Sequence, residues 1–167
     1  MLALKILVLS ALLCVAIASD DDYTVGSGIG DTTGPSVEIN FMGYAVPSQR
    51  GSGIHLRLRS RAFVFEQGGD MVCYVSVDGG MSSDNVKLAV LEKLNAKYGD
   101  GVFFDQNLAI SGTHTHSGPA GFLAYVLYQM TSLGFVEEVF DAWVDGIFTS
   151  IVNAYESREP ASILIAE

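Results

Sequence analysis

The chain has 167 residues, of which 49% are hydrophobic and 17% charged, enough for one ordinary domain with a sizeable core. Its formal net charge of −10 excludes a nucleic-acid-binding role, because such a surface adds to phosphate repulsion. Neither a repeat nor a low-complexity tract is present, so collagenous, solenoid and disordered classes drop out as well.

The first element is a leader. Lys5 precedes an apolar run from Ile6 to Ile17, and Ala16 and Ala18 supply small residues at positions −3 and −1 before Ser19. This is the layout of a secretory signal peptide over residues 1–18, and the run is short for a membrane span. An uncleaved anchor is the alternative. The chain is therefore expected in the secretory pathway, secreted or at the extracellular membrane surface. Loss of the leader removes Lys5 and leaves eight basic against nineteen acidic residues, a formal charge of −11. It also removes Cys14, so Cys73 remains without a disulfide partner and, within "MVCYVSV", reads as a buried strand thiol. There is no N-x-Ser/Thr sequon.

Residues 19–22 form an acidic start, and "YTVGSGIGDTTGP" (23–35) reads as a Gly/Thr-rich loop with short extended pieces. "VEINFMGYA" (37–45) is expected as a short strand, and "VPSQRGSG" as a surface loop. From Ile54 to Phe65, Leu56, Leu58, Ala62 and Val64 alternate with Arg57, Arg59, Arg61 and Phe63, the period of two of a strand. "EQGGD" turns the chain into a second, more buried strand, "MVCYVSVD", so that the two form a hairpin. A helix follows, with Ser82, Ser83 or Asp84 as N-cap and Gly99 as its stop. Another short strand spans Leu108 to Ser111. "FLAYVLYQMTSLG" (122–134) is expected to be helical. Phe135 to Glu156 is the clearest helix, with Val139, Phe140, Trp143, Ile147, Ile151 and Ala154 on one apolar stripe that reads as core packing. Pro160 interrupts, and "SILIA" opens one more buried strand that ends at Glu167 without turn or cap, as in a cut chain. Strand, helix and strand in alternation give α/β: a mixed sheet with flanking helices, an incomplete part of a larger domain.

The chemistry concentrates in "SGTHTHSGPAG", Ser111 to Gly121. In an extended backbone residues i and i+2 share a side, so His114 and His116 can converge on one ion. Zinc takes neutral histidine nitrogen at about 2.0–2.1 Å, and its catalytic sites keep three protein ligands and an open position. The place, just beyond a strand's carboxyl end, is where open α/β sheets collect ligands. On the residues alone a solvated loop remains the other reading. His55 reads as structural, on the arginine-bearing side of its strand.

Several separated motifs carry more. "GDTTGP" with "MGYA", "GIHLRLRSRAFVF", "DGGMSSDNVKLAVLEKLNAKYGD", "NLAISGTHTHSGPAGFLAYVLYQMTSLGF" and "FDAWVDGIFTSIVNAY", in this order, resemble the neutral ceramidases from about Gly28 to the end. The family hallmark closes with two glycines, and Ala120 replaces the first. The resemblance implies a zinc-dependent amidase that splits ceramide, a sphingolipid substrate at the membrane surface, into sphingosine and a fatty acid. It implies His114 as a metal ligand for Zn2+, His116 as a catalytic neighbour able to hydrogen-bond the reacting group, and Asp31 as an aspartate near the site, with an ordinary turn residue as the equal alternative. It also implies that the remaining ligands, a histidine, a glutamate and a tyrosine, lie in sequence beyond this chain. Residues 19–167 are then the N-terminal portion of a catalytic domain, expected to be inactive alone. A secreted non-catalytic lipid-binding protein, or a related zinc hydrolase acting on another amide or ester, are the competing readings. The oligomeric state is left open.

Overall fold

The computed structural model describes residues 23–164. The leader and the last residues of the expected final strand lie outside them. Five strands form one mixed sheet in the order β4-β3-β2-β1-β5, with β1 at Tyr23–Asp31, β2 at Arg59–Gln67, β3 at Asp70–Val77, β4 at Leu108–Gly112 and β5 at Glu159–Ala161. Helix α1 (Asp84–Tyr98) connects the parallel pair β3 and β4. A short α2 (Val126–Ser132) and a long α3 (Glu137–Glu156) follow β4. The α/β expectation holds.

The β2–β3 hairpin turns on Gly68 and Gly69, at φ +61° and +92°, as a two-residue loop matched to strand twist requires. Its inward residues Ala62, Val64, Cys73, Val75 and Val77 are fully buried, and the thiol of Cys73 is pushed up to about 12 by burial, as an inert core group. Val86, Val90 and Leu94 of α1 and Val139, Trp143, Ile147 and Ile151 of α3 complete the core, each large side chain contributing about 1.5–3 kcal/mol. Helix α1 ends at Gly99 in a positive φ, as expected.

Four expectations are corrected. Residues 23–31 are not loop but the second strand from one edge, paired with β2 and β5. Gly26, Gly28 and Gly30 alternate onto one face and lie against α3, where a Cβ would stand 1.9–2.2 Å from the carbonyl oxygens of Ala154, Ser150 and Gly146. Glycine there is a close-packing face of a strand, which a composition-based reading takes for flexibility. Residues 37–45 form no strand. Only the isolated bridges Asn40–Arg50 and Phe41–Pro119 occur, because the buried Asn40 side chain donates to the carbonyls of Val46 (2.9 Å) and Gln49 (3.1 Å) and curls the segment on itself. The strand expected from Ile54 begins only at Arg59, which leaves His55 exposed in the preceding loop. Pro160, expected as a break, sits within β5. An edge strand tolerates it because only one of its sides is paired.

The helices cover one side of the sheet. On the other, Val25, Phe65 and Val72 align across three strands, then Ser27, Phe63 and Tyr74, then Ile29 and Arg61. Ile29, Phe63, Val72 and Tyr74 are exposed there.

Candidate active site

The carboxyl ends of β1, β3 and β4 and the amino end of β2 meet at one rim of the sheet. The Thr113 amide extends the β3–β4 ladder by donating to the Val77 carbonyl at 2.9 Å. His114 then turns into the left-handed region, φ +62°, a conformation that costs a non-glycine residue about 1–2 kcal/mol. The two histidines therefore do not converge through an extended backbone, as their spacing suggests. A kink at the first of them does it.

His114 Nδ1 lies 2.6 Å from the Gly80 carbonyl oxygen. A carbonyl only accepts, so Nδ1 carries the proton and Nε2 holds a free lone pair. His116 Nε2 stands 3.1 Å from that Nε2 and donates to it. The Nδ1 of His116 is buried with no hydrogen-bond partner among the described residues. Its ring is held instead by shape. Tyr44 meets it edge-on at a centroid distance of 4.3 Å. Gly43, at φ +138°, lies so close that a Cβ would come 2.3 Å from the imidazole. The loop carrying Gly43 and Tyr44 is fastened to the histidine loop by Met42 N–H to Gly118 O (3.0 Å) and Ala120 N–H to Asn40 O (2.8 Å). Ala120 is buried there, and the left-handed φ of +97° falls on Gly121. The methyl that distinguishes it from glycine meets no backbone restriction.

Three hollows surround the pair. One of about 550 Å³ is walled by Tyr44, Gln49, Arg50, His114 and His116. A narrower one of about 220 Å³ runs from His114 past Met42 and Met81 to Leu127 and Tyr128. A third, about 470 Å³, opens behind Thr115 and Ser117 between Ile54, Leu56, Leu58 and Pro119; His55 lines it without approaching the pair.

Asp31 is at the same rim, at the end of β1, with β2 and β3 between it and β4. Its carboxylate accepts the Thr33 amide at 2.9 Å and pairs with Arg59 (3.2 Å) and Arg57 (3.5 Å). The Thr33 hydrogen bonds first, then the two arginines, hold it below the usual aspartate range. No hydrogen bond joins it to either histidine among the described residues. The structure thus brings His114 and His116 together and gives Asp31 the partners of a turn residue. It adds Gly43, Tyr44 and Gly80, which no local sequence signal marks, since each acts through backbone or ring edge from another loop.

Zinc, the metal the resemblance implies, fits His114 in part, since its Nε2 is unprotonated and zinc takes neutral histidine nitrogen. A protonated Nδ1 on a backbone carbonyl is the outer-shell bond that a ligating imidazole uses. Among the described residues no group of three or more His, Cys, Asp or Glu could hold a metal.

A mixed α/β sheet with its polar convergence beyond the carboxyl ends of parallel strands is the layout of an α/β enzyme domain. The model of the neutral/alkaline non-lysosomal ceramidase N-terminal region matches residues 23–167. The chain belongs to that family. It is 49% identical over 163 residues to neutral ceramidase 3 of Arabidopsis thaliana, covering 97% of this chain and 22% of the relative. It is 45% identical over 146 residues to the neutral ceramidase of Drosophila melanogaster, covering 87% and 21%. The solved neutral ceramidase from Pseudomonas aeruginosa superposes with a TM-score of 0.80 at 44% identity, over 83% of this chain and 22% of that one. A ceramidase complexed with C2 superposes equally well. The chain thus spans about a fifth of the length of the curated relatives it matches.

Proposed function

We propose that this chain supplies His114 and His116 to a zinc-dependent active site that hydrolyses the N-acyl amide bond of ceramide. The observation that carries the proposal is the bond from His114 Nδ1 to the Gly80 carbonyl, which leaves Nε2 unprotonated beside a hollow that His116 also lines. His114 would hold the metal, which when bound supplies carbonyl polarisation and an acidified water to an otherwise unreactive amide. His116, with its Nε2 3.1 Å from His114 Nε2, would offer its N–H to the oxygen on which charge develops, or pass a proton to the departing amine. The hollows lined by Met81 and Leu127 and by Ile54 and Leu56 are apolar enough for hydrocarbon chains, and Tyr44 keeps solvent from one side of the His116 ring.

One imidazole ligand is fewer than the three protein ligands of a catalytic zinc site. We infer that further ligands come from outside these 167 residues and that the chain alone has no turnover. The leader would deliver the protein to the secretory pathway, where its substrate is met at a membrane surface.

The test is sphingosine release from ceramide, with bound zinc counted, in the full natural polypeptide that carries this sequence. His114→Ala should lose both zinc and activity. His116→Ala should keep zinc and lose about 10²–10³ of kcat. Undiminished turnover in His114→Ala, or ceramide turnover no better than that of short acyl esters, overturns the reading.

A further inference from the structure

His114 holds its strained backbone and its tautomer against a single acceptor, the Gly80 carbonyl. What holds Gly80 is therefore as much a part of the site as the imidazole. The turn Gly79-Gly80 follows β3 and passes between two side chains from distant parts of the chain. A Cβ on Gly79 would stand 2.2 Å from Cη2 and Cζ2 of Trp143, and one on Gly80 would stand 2.6 Å from Cγ of Met42. The indole cannot retreat: Trp143 is buried and stacks on Phe122 at 3.9 Å and 15°. Its Nε1–H has no partner among the described residues, and leaving such a donor buried costs about 1–3 kcal/mol. The ring is thus kept in place by packing alone. On the far side β4 presses equally close, for a Cβ on Gly112 would meet Gly79 O at 2.9 Å and Met81 Cα at 3.0 Å.

We propose that Trp143 and the Gly79-Gly80 turn are positioning residues for His114. The indole sets the height of the turn, the turn sets the Gly80 carbonyl, and the carbonyl fixes the proton on Nδ1 and aims Nε2 outward. The inference rests on the reading of His114 as a nitrogen donor for a metal, and deepens it. A wider turn residue tips the Gly80 carbonyl away. The proton is then free to move to Nε2, where it blocks the lone pair, and the left-handed backbone loses the bond that offsets its strain.

The experiment uses the full natural polypeptide carrying this sequence, labelled with 15N-histidine and freed of metal, at a pH where the imidazoles are neutral. The His114 signals are assigned by their absence in His114→Asn. Long-range 1H–15N correlation should show the unprotonated nitrogen of His114 at Nε2 in the natural sequence. In Gly79→Ala the proton should be shared between the two nitrogens, and Zn2+ affinity by chelator competition should fall at least tenfold. The double variant Gly79→Ala with Trp143→Leu, which removes the obstructing ring, should regain the Nε2 lone pair and bring affinity back within threefold. Should Gly79→Ala not fold, Trp143→Leu alone takes its place, since it removes the ring that sets the turn without adding an overlap, and it should also release the tautomer. A folded variant that keeps the natural tautomer overturns the proposal, as does a double variant that recovers stability but not the tautomer. A tautomer that shifts as described while no variant binds Zn2+ upholds the positioning role and overturns only the metal reading.

Discussion

The contact between β1 and α3 leaves no space for a methyl group, and Gly30 is, with Gly26, among its tightest points. A Cβ there would lie 1.9 Å from the Gly146 carbonyl oxygen, where ordinary contact begins at 3.4 Å, so Gly30→Ala must open the interface by about 1.5 Å. The obstacle is backbone and cannot rotate aside. A gap of about 0.5–1 Å already forfeits a quarter to a half of each dispersion contact, and α3 carries Val139, Trp143, Ile147 and Ile151 into the core. The loss should therefore reach the top of the range for overpacked cores, about 3 kcal/mol, or more than a hundredfold in the folded-to-unfolded ratio. Urea unfolding followed by the fluorescence of Trp143, the sequence's one tryptophan, reads it directly. Gly53→Ala, with nothing within 4 Å of its Cβ, is the control and should stay within about 0.5 kcal/mol. A Gly30→Ala midpoint corresponding to less than about 1 kcal/mol of loss, at unchanged m-value, would refute the backbone-contact argument.

Other consequences are open to equally direct measurement. Ser60 and Ser150 share a buried hydrogen bond of 2.8 Å between β2 and α3, and Ser150 also donates to the Ile147 carbonyl. Ser150→Ala should cost about 1–3 kcal/mol by stranding the Ser60 hydroxyl, and adding Ser60→Ala should cost less than the sum of the two single changes in a double-mutant cycle. Asp31 titrates below its unfolded value, so it contributes stability above the unfolded value, lost as pH falls through the folded one. Asp31→Asn should accordingly lower stability near neutrality, and its difference from the natural sequence should fade as pH falls from about 4 downward, as thermal unfolding across that window will show. With its thiol pushed up to about 12 and fully buried, Cys73 should resist iodoacetamide at pH 8 in the folded chain and react fully in denaturant.

Much of this architecture can be read in the residues. The β2–β3 hairpin, α1 with its Gly99 stop, β4 and the long α3 follow from periodicity and punctuation, because in each the apolar spacing and the packing partner agree. Strand β1 escapes such a reading, since glycine at every second position carries no hydrophobic signal even though it has a strand's period of two. The reverse failure occurs at residues 37–45, where alternating apolar side chains suggest a strand but the Asn40 amide, by binding carbonyls six and nine residues on, imposes a loop. At the site, the pairing of His114 with His116 is legible from their spacing. The kink at His114, the Gly80 acceptor and the Gly43–Tyr44 wall are not, because they are contacts between loops separated by more than thirty residues. The partners of Asp31 are not legible either: its carboxylate pairs with Arg59 of the neighbouring strand and with Arg57 just before it.

The uncovered side of the sheet gives the chain a colloidal character of its own. Val72, Tyr74, Phe63 and Ile29 offer water a flat apolar surface, while the formal charge of −10 makes any two copies repel. At low ionic strength that repulsion reaches tens of ångströms and keeps the faces apart. At 1 M salt it is screened within about 3 Å, and burial of apolar area then dominates at contact. Among the described residues nothing covers that face, so these 167 residues should self-associate more readily in concentrated salt than in dilute salt.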